Sequence, residues 1–289
     1  MKQCIRCGAA FATPDWRCPQ CGFAPRLCDG LPHFAPDKDS GDADFPPEAH
    51  AALAELERGS FWFRSRNRAL ALAVRRFFPA ARTFFEVGCG TGVVLEHFAT
   101  VFPALDLTGG ELSASGLAIA KSRLPGARLL QADALDLPFA GEFDLVGMFD
   151  VLEHIEDDRQ ALVQLGKCLQ PGGGLLLTVP QHPWLWSDWD VYSCHKRRYG
   201  RRELVAKLRD AGFDVLWSSA LFSLLLPLLV LSRRRSRRSA PADPLDALRL
   251  ARPLDAVLDG VCRLERGLLA AGLSLPAGGS LLCVARKRT

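Results

Sequence analysis

Apolar runs and helical patterns alternate along the central part of the chain. The apolar runs are TFFEV, ALDLTGGE, ARLLQAD, FDLVGMF and GGLLLTVP, and helical segments separate most of them. This alternation predicts βαβα units, and therefore a parallel sheet with helices on both faces. A polar, aromatic loop follows, then a helix over RRELVAKLRDAG and a strand at FDVLWSSA. The apolar run GGSLLCVARK at the end of the sequence predicts a last strand.

A second kind of apolar run follows the predicted strand FDVLWSSA. Residues Leu221–Leu231 are almost all apolar and include Pro227, and five arginines follow between Arg233 and Arg238. A helix that spans a bilayer needs about 20 residues, so this run is too short to cross. We expect it to contact a membrane surface peripherally, with its arginines on lipid headgroups. A lid over an apolar acceptor pocket and ordinary core packing are the alternatives.

Composition divides the chain into one larger domain and a small N-terminal module. Cysteines crowd the first 28 residues, and the segment FAPDKDSGDADFPPEAH has the composition of a linker. We predict a zinc ribbon over 1–34, a linker over 35–48 and a main domain over 49–220 plus 272–289. A hydrophobic, helical insertion is expected over 221–271.

The charge and the N-terminus bear on partners and location. The net charge is +4, and the arginine excess is local, so charge makes no strong case for nucleic acid. The N-terminal segment MKQCIRCGAAFA lacks the apolar core of a signal peptide, so we expect a cytoplasmic protein, peripheral at the inner membrane face. In that reducing compartment the ten cysteines are expected to be thiols or metal ligands rather than disulfides.

Four cysteines near the N-terminus have the spacing of a structural zinc site. Cys4 and Cys7, then Cys18 and Cys21, form two CxxCG pairs with ten residues between them. Four thiolates so placed can close a tetrahedral Zn²⁺ site, and the glycine after each pair permits a tight turn. A redox dithiol is the weaker alternative, because redox CxxC pairs rarely come doubled.

A glycine-rich turn lies between the first strand and the next helix of the main domain. The segment EVGCGTG brings backbone amides close to a ligand, and the helix N-terminus favours anionic groups. Its GxGxG spacing differs from the GxGxxG of dinucleotide sites. Glu111 ends the second strand and could accept both ribose hydroxyls, and Asp133 ends the third and could accept from an adenine amino group.

These segments, with FDVLEHIED and LQPGGGLLLTVP in the same order, resemble class I S-adenosylmethionine-dependent methyltransferases. The resemblance implies S-adenosyl-L-methionine as cofactor and a Rossmann-like, doubly wound seven-stranded α/β sheet with an antiparallel last strand. It places the glycines at the methionine part, Glu111 at the ribose, Asp133 at the adenine, Phe149 near the methyl donor and Arg66 near the cofactor carboxylate. The predicted cofactor-binding residues are Glu86, Gly88, Cys89, Gly90, Gly92, Glu111, Asp133, Ala134, Phe149 and Arg66.

Candidate catalytic residues follow the fourth strand, at the edge of the sheet where α/β proteins bind ligands. An oxygen or nitrogen acceptor can require a base, and His154 and the later His195 are the candidates. Some methyltransferases that resemble this segment bind a divalent metal at an acid-x-x-Glu-His sequence, completed by a later histidine. Here Asp150 replaces the first glutamate, which weakens that hypothesis, and the acids near His154 could simply offset a helix dipole.

The aromatic loop after the fifth strand is expected to form the acceptor wall. His182, Trp186, Arg198 and Tyr199 are the candidate substrate residues, since this mixture of charge and phenol could bind phosphate or carboxylate. An ordinary loop, with Tyr199 used in packing, is the alternative.

Together these patterns predict a methyltransferase for a small-molecule or lipid-linked acceptor, with the acceptor atom (O, N or C) and the oligomeric state left open. A ribosomal RNA base methyltransferase with a zinc-finger RNA contact is the second hypothesis. The acidic linker and the absence of a basic stripe along the ribbon make nucleic acid the less favoured partner. A non-catalytic cofactor-binding adaptor is the third, and the intact glycine and acidic positions argue against it.

Overall fold

A computed structural model describes residues 1–13, 15–38, 47–236 and 249–289. The predicted linker 35–48 is therefore described only at its two ends. The last two arginines of the predicted membrane segment, residues 237 and 238, lie outside the described residues, as does the stretch 239–248 of the predicted insertion.

The elements alternate as the sequence predicts. The strands are β1 (Lys2–Gln3), β2 (Ala10–Phe11), β3 (Arg26–Cys28), β4 (Leu31–His33), β5 (Thr83–Val87), β6 (Asp106–Glu111), β7 (Arg128–Gln131), β8 (Phe143–Phe149), β9 (Leu169–Pro180), β10 (Phe213–Leu221) and β11 (Ser280–Lys287). The helices are α1 (Pro47–Gly59), α2 (Phe61–Phe77), α3 (Val93–Val101), α4 (Ala114–Arg123), α5 (Asp158–Cys168), α6 (Asp188–Tyr192), α7 (Arg201–Asp210), α8 (Leu226–Ser236) and α9 (Arg252–Ala270).

Within the described residues the main sheet has nine strands, where the sequence predicts seven. Its order is β10-β11-β9-β8-β5-β6-β7-β4-β3. The first seven strands of this order come from the predicted main domain, and β11 runs antiparallel to both neighbours, as expected. The two additional strands are the hairpin β3–β4, which joins the edge of β7 through His33 and Gln131. An open edge strand presents unpaired backbone groups, so it can accept such an addition.

The N-terminal module is consequently part of the sheet edge rather than a separate body. The Trp16 ring packs edge-on against Phe34, with centroids 4.8 Å apart, and against Phe139 at 5.6 Å. The backbone N–H of Gln3 donates to the carbonyl of Pro138 over 2.9 Å. Phe34, at the predicted end of the ribbon, itself packs in the core of the main domain.

Two apolar cores lie on opposite faces of the sheet. Phe84 and Phe85 are adjacent on β5 and belong to different cores, because successive side chains of a strand point to opposite faces. Both rings are fully buried. The seven-residue strand β8 is buried at six positions, as expected for a central strand covered on both faces.

The described residues of the predicted insertion form two helices near the ends of the strands. Pro227 is the second residue of α8, where a proline is tolerated because that N–H has no partner within the helix. Proline therefore lies in the first turn of this helix and does not interrupt it. Helix α9 packs against α2, and Cys262 and Leu269 of α9 lie in the same core as Leu70 of α2. Within the described ranges, each helix is too short or too polar to cross a bilayer.

Candidate functional site

A cavity of about 1390 Å³ opens at the carboxyl ends of the central strands. Single-ligand cavities measure about 300–1,000 Å³, so this volume can hold a cofactor together with a second molecule. Nine of the ten predicted cofactor residues line it. The tenth, Gly92, instead begins α3 in a left-handed conformation with φ 80°. Both predicted catalytic histidines and Arg198 also line the cavity.

The glycine-rich turn is shaped by close approach of the backbone. Gly88 has φ 74°, and a Cβ atom there would lie 2.5 Å from Cγ2 of Val151, so a side chain cannot be accommodated. The N–H of Gly90 donates to a carboxylate oxygen of Glu111 over 2.7 Å, and the N–H of Ser113 donates to the other over 2.9 Å. Each of these oxygens keeps a second lone pair, so Glu111 can still accept ribose hydroxyls.

Asp133 has a partner that the sequence analysis missed. Lys38, from the short helical turn after the ribbon, donates to its Oδ2 over 2.5 Å. The N–H of Leu135 donates to its Oδ1 over 2.8 Å. The hydrogen bond to Asp133 raises the pKa of Lys38. The Gln131 side chain holds the neighbouring Ala35, donating to its carbonyl and accepting from its N–H. The N-terminal module thus reaches the predicted adenine end of the cavity.

Glu86 and Arg66 lie at the predicted methionine end. The Glu86 side chain is buried, and its Oε2 has no hydrogen-bond partner within the described residues. Burial raises the pKa of Glu86 well above its ordinary value, while the nearby Arg66 guanidinium acts in the opposite direction. Arg66 is itself buried and donates to Asp150 Oδ2 over 2.6 Å. An unpaired buried carboxyl oxygen and a buried guanidinium fit an amino acid's ammonium and carboxylate groups, so the residues present suit the cofactor.

Helix α1 covers the glycine-rich turn through Glu57, which the sequence analysis did not single out. The Thr91 hydroxyl donates to Glu57 Oε2 over 2.5 Å, and Arg123 donates to the same oxygen over 2.8 Å. Glu57 is buried and lines the cavity. Its position in the amphipathic pattern of α1 resembles that of any surface acid, so periodicity alone could not identify it.

Three ionisable side chains that line the cavity lie close together. Each of Glu153, His154 and His195 offers one atom that could bind a metal, and these three atoms lie within 4.8 Å of one another. The centroids of the two imidazole rings are also 4.8 Å apart. Both oxygens of Glu153 and the Nδ1 of His154 are buried without partners within the described residues. Burial raises the pKa of Glu153 well above its ordinary value and lowers that of His154 to about 4, so this histidine is neutral near pH 7.

The neighbouring acids have other roles. Asp150 is paired with Arg66, so it stands apart from this three-residue group. Asp157 accepts from the N–H of Gln160 over 3.0 Å and caps α5, as expected if the acids serve a helix N-terminus. The helix-terminus interpretation of this segment therefore applies to Asp157, and the roles of Glu153 and His154 as base or metal ligands stay predictions.

Asp190 organises the loop after β9, and the sequence analysis missed it. Its fully buried carboxylate accepts from His195 Nδ1 over 2.9 Å and from Arg198 over 2.7 and 3.0 Å. A carboxylate only accepts, so Nδ1 of His195 carries the hydrogen and Nε2 holds the lone pair of the neutral ring. That Nε2 lies 3.9 Å from Glu153 Oε1. The sequence signal was the capping box that Ser187 and Asp190 form at α6.

The same hydrogen bonds fix the charge of Asp190. Burial opposes ionisation, but the bonds from His195 and Arg198 hold the pKa of Asp190 well below its usual range. Asp190 is therefore a permanent anion that orients His195.

The structure corrects three of the four predicted substrate residues, because His182, Trp186 and Tyr199 do not line the cavity. Tyr199 is fully buried, and its hydroxyl donates to Asp158 over 2.9 Å. It is therefore a packing residue, and burial raises its pKa. Arg198 does line the cavity, but its guanidinium is engaged with Asp190.

Backbone strain concentrates at three strand ends beside the cavity. Asp150, His182 and Phe222 follow β8, β9 and β10 closely, with φ values of 56°, 64° and 61°. Non-glycine residues rarely adopt this conformation, and it tends to persist at functional sites where surrounding contacts enforce it.

The four N-terminal cysteines converge as predicted. The Sγ atoms of Cys4 and Cys21 are 3.6 Å apart, as are those of Cys7 and Cys18. Tetrahedral Zn–S bonds of about 2.3 Å imply S···S distances of about 3.8 Å, so the four thiols fit a zinc ion.

Known proteins are similar to this chain in sequence. The family model described as "Methyltransferase domain" matches residues 60–217, more than half of the chain. A Mycobacterium tuberculosis protein described as a probable S-adenosylmethionine-dependent methyltransferase is 27% identical over 204 residues, covering 65% of this chain and 71% of that protein. A Streptomyces venezuelae dTDP-3-amino-3,4,6-trideoxy-alpha-D-glucopyranose N,N-dimethyltransferase is 34% identical over 136 residues, covering 46% of this chain and 56% of that enzyme.

A solved structure shows the same fold. Phosphoethanolamine N-methyltransferase 2 of Haemonchus contortus, in complex with S-adenosyl-L-methionine, superposes with a TM-score of 0.52 at 20% identity. The match covers 77% of this chain and 53% of that enzyme. With the family match over residues 60–217 and a cavity whose residues suit the cofactor, the chain belongs to the S-adenosylmethionine-dependent methyltransferases.

Proposed function

We propose that this methyltransferase transfers a methyl group to an oxygen or nitrogen of a small or lipid-like acceptor, with His195 as the base. The observation that carries the proposal is the Asp190–His195 hydrogen bond of 2.9 Å, which leaves Nε2 available beside Glu153. A base positioned by a carboxylate contributes about 10²–10⁴-fold to such reactions.

The cofactor supplies an electrophilic methyl group on a sulfonium when it is bound. Glu86 and Arg66 would hold its amino-acid end, Glu111 its ribose and Asp133 its adenine. At the acceptor end, the unpaired oxygens of Glu153 accept a hydrogen bond from the acceptor hydroxyl or amine. His195 Nε2 then takes the proton as the acceptor atom gains the methyl group. Asp190 stabilises the resulting imidazolium because it remains ionised.

His154 acts beside this base as a neutral partner. Its pKa of about 4 keeps it uncharged near pH 7, and its ring lies edge-on to His195. A neutral imidazole does not repel the imidazolium that forms on His195.

Glu153, His154 and His195 also form a donor set that a divalent transition metal could use. The metal content of the protein distinguishes a free His195 base from a bound catalytic metal. A structural zinc alone gives one equivalent of metal per chain. A catalytic metal adds a second equivalent, which Glu153→Gln should lose and Cys7→Ser should retain. One equivalent in the wild-type protein supports His195 as a free base.

The cysteine cluster is proposed to hold a structural zinc. Two pairs of thiols at 3.6 Å support four-coordinate binding. Four protein ligands leave no open position for a reaction, so the ion would stabilise the module that supplies Lys38 to the cofactor end.

Exposed leucines of α8 and of the residues just before it support peripheral membrane contact, as the sequence predicts. Leu224, Leu228 and Leu231 are each about half exposed. One prediction for this segment needs revision, because Arg233 turns inward to Asp190 rather than outward to lipid headgroups. Liposomes containing anionic lipid should retain the wild-type protein and release Leu231→Asp, because Leu231 is exposed and does not line the cavity. If the wild type does not sediment with them, the membrane hypothesis is wrong.

The proposed reaction is tested by incubating the full-length protein and labelled donor with lipid and RNA fractions. We expect label in the lipid or small-molecule fraction. His195→Gln should abolish it without changing S-adenosylhomocysteine affinity. Label in RNA would favour the ribosomal RNA hypothesis. Intact transfer by His195→Gln would show that His195 is not the base.

A further inference from the structure

The cavity continues beyond the acceptor-end cluster along an apolar wall. The rings of Trp62 and Phe222 are stacked with centroids 3.7 Å apart. Leu225 and Leu229, from the start of the insertion, and Leu258 of α9 line the same space. Leu229 closes against Gly279, where a Cβ atom would lie 3.2 Å from Leu229 Cδ2. This part of the cavity is therefore lined by aliphatic and aromatic groups.

Helix α8 connects the apolar wall to the polar cluster. Leu229 and Arg233 are four residues apart and lie on one face of this helix. Leu225 immediately precedes the helix, and its carbonyl accepts from the N–H of Leu229 over 2.9 Å. Arg233 donates to Asp190 Oδ2 over 3.2 Å and to the Ser187 hydroxyl over 2.7 Å, at the polar end. Leu229 is one turn away, roughly 6 Å along the axis, and Leu225 roughly 12 Å away. The cavity changes from charged to apolar over this distance.

We propose that the acceptor is an amphiphile with a single aliphatic or isoprenoid chain, an inference that rests on the proposed function. Its nucleophilic head lies at Glu153 and His195, and its chain lies against Leu229, Leu225 and Leu258. The cavity volume of about 1390 Å³ leaves room for this molecule beside the cofactor.

The wall fits a flexible chain better than a nucleic acid base. Single-stranded nucleic acids bind to accessible aromatic faces along a basic groove. Here the Trp62 face is already stacked on Phe222, and Arg233 and Arg198 are both paired with Asp190. What the wall offers is aliphatic surface, which interacts with any hydrocarbon in proportion to the area buried.

Chain length is the variable that tests this proposal. The protein with S-adenosylhomocysteine bound is first loaded with the fluorescent probe dansyl-undecanoic acid. Straight-chain alcohols from hexanol to decanol are then added, and displacement of the probe is measured. Each added methylene should improve displacement about fourfold, the equivalent of about 0.8 kcal/mol, until the chain fills the wall. Equal displacement at every chain length would overturn the proposal.

Matched variants locate the binding site. Leu229→Asp places a charge on the wall and should weaken dansyl-undecanoic acid binding at least tenfold. Leu229→Ala, which only shortens the side chain, should weaken it less and serves if the charged variant does not fold. Leu264→Asp is the control, because Leu264 is 69% exposed on α9 and does not line the cavity. An equal loss in Leu264→Asp would indicate adsorption to the outer surface and contradict the proposal.

Calorimetric titration with S-adenosylhomocysteine separates this inference from the proposed function. If the cofactor product binds but chain length has no effect, only the amphiphile inference fails. If the cofactor product does not bind, the proposed function fails. A third experiment measures retention of the protein on vesicles of anionic lipid. If Leu264→Asp is no longer retained and alcohols of every length displace dansyl-undecanoic acid equally well, the apolar residues serve membrane docking. The acceptor-chain proposal would then be wrong.

Discussion

Arg233 of α8 donates to Asp190, the same carboxylate that accepts from His195 Nδ1. The helix that the sequence predicts to contact a membrane thus contributes a cation to the part of the cavity that contains His195. Burial lowers the pKa of Arg233 to about 10, so it stays charged near pH 7. The position of α8 and the orientation of His195 are therefore linked through one buried anion.

Replacing Arg233 by methionine should lower methyl transfer while leaving the cofactor site intact. We expect turnover to fall about tenfold, equivalent to about 1.4 kcal/mol, because Asp190 loses one of the groups that fix it. S-adenosylhomocysteine affinity, measured by calorimetry, should not change. Arg263→Met, at an exposed position of α9, is the matched control. A parallel loss of cofactor affinity would contradict this role for Arg233.

Cofactor binding should strengthen as pH rises, because of Glu86. Burial raises the pKa of this carboxyl well above its ordinary range, and only the ionised form attracts the cofactor ammonium. The affinity for S-adenosylmethionine should therefore still be increasing at pH values above the ordinary glutamate pKa of about 4.3. Glu86→Gln should bind more weakly at neutral pH, and its affinity should vary less with pH. An unchanged pH profile in Glu86→Gln would exclude this carboxyl as the titrating group.

Asp133→Ala should weaken cofactor binding. Loss of a hydrogen bond to a charged group costs about 1.5–3 kcal/mol, or roughly ten- to a hundredfold in affinity. Asp136→Ala is the control, since Asp136 is exposed and does not line the cavity. Calorimetric titration of both variants with S-adenosylhomocysteine checks the assignment, and an unchanged affinity in Asp133→Ala would refute it.

Cys7→Ser should lose one zinc equivalent and also loosen the cofactor site. Without the ion, the module that carries Trp16 and Lys38 should detach from the edge of β7, because a cluster as small as that of Cys4, Phe11 and Cys18 cannot hold it together. Tryptophan fluorescence should shift to the red, and S-adenosylhomocysteine affinity should fall. Cys28→Ser, outside the four-thiol group, is the control. Zinc loss with unchanged affinity would show that the module does not support the cofactor site.

Tyr199→Phe should reduce stability rather than activity. The hydroxyl bonds to Asp158 inside the protein, so its removal should cost about 1–3 kcal/mol in the free energy of unfolding. Urea denaturation measures this loss. If turnover falls while stability is unchanged, Tyr199 contributes to the acceptor site after all.

The sequence by itself determined the features that depend on local pattern. Strand periodicity and the GxGxG turn placed the central strands, the glycine-rich turn, Glu111 and Asp133, because these signals arise from neighbouring positions in the chain. The resemblance to methyltransferases added Arg66 and Phe149, which also line the cavity. The doubled CxxCG motif likewise brought the four thiols together. In each case the spacing of residues already specifies the geometry.

Only the tertiary structure decided which distant side chains meet. Lys38 reaches Asp133 across 95 positions, and Arg233 reaches Asp190 across 43. Such contacts arise when an open sheet edge accepts the β3–β4 hairpin and when α8 packs along the cavity, and neither event leaves a periodic signal in the sequence. The same reason explains why Tyr199, in an aromatic loop, became core. Whether a side chain is buried depends on how the helices and strands pack, and the amino-acid composition of a loop does not determine that packing.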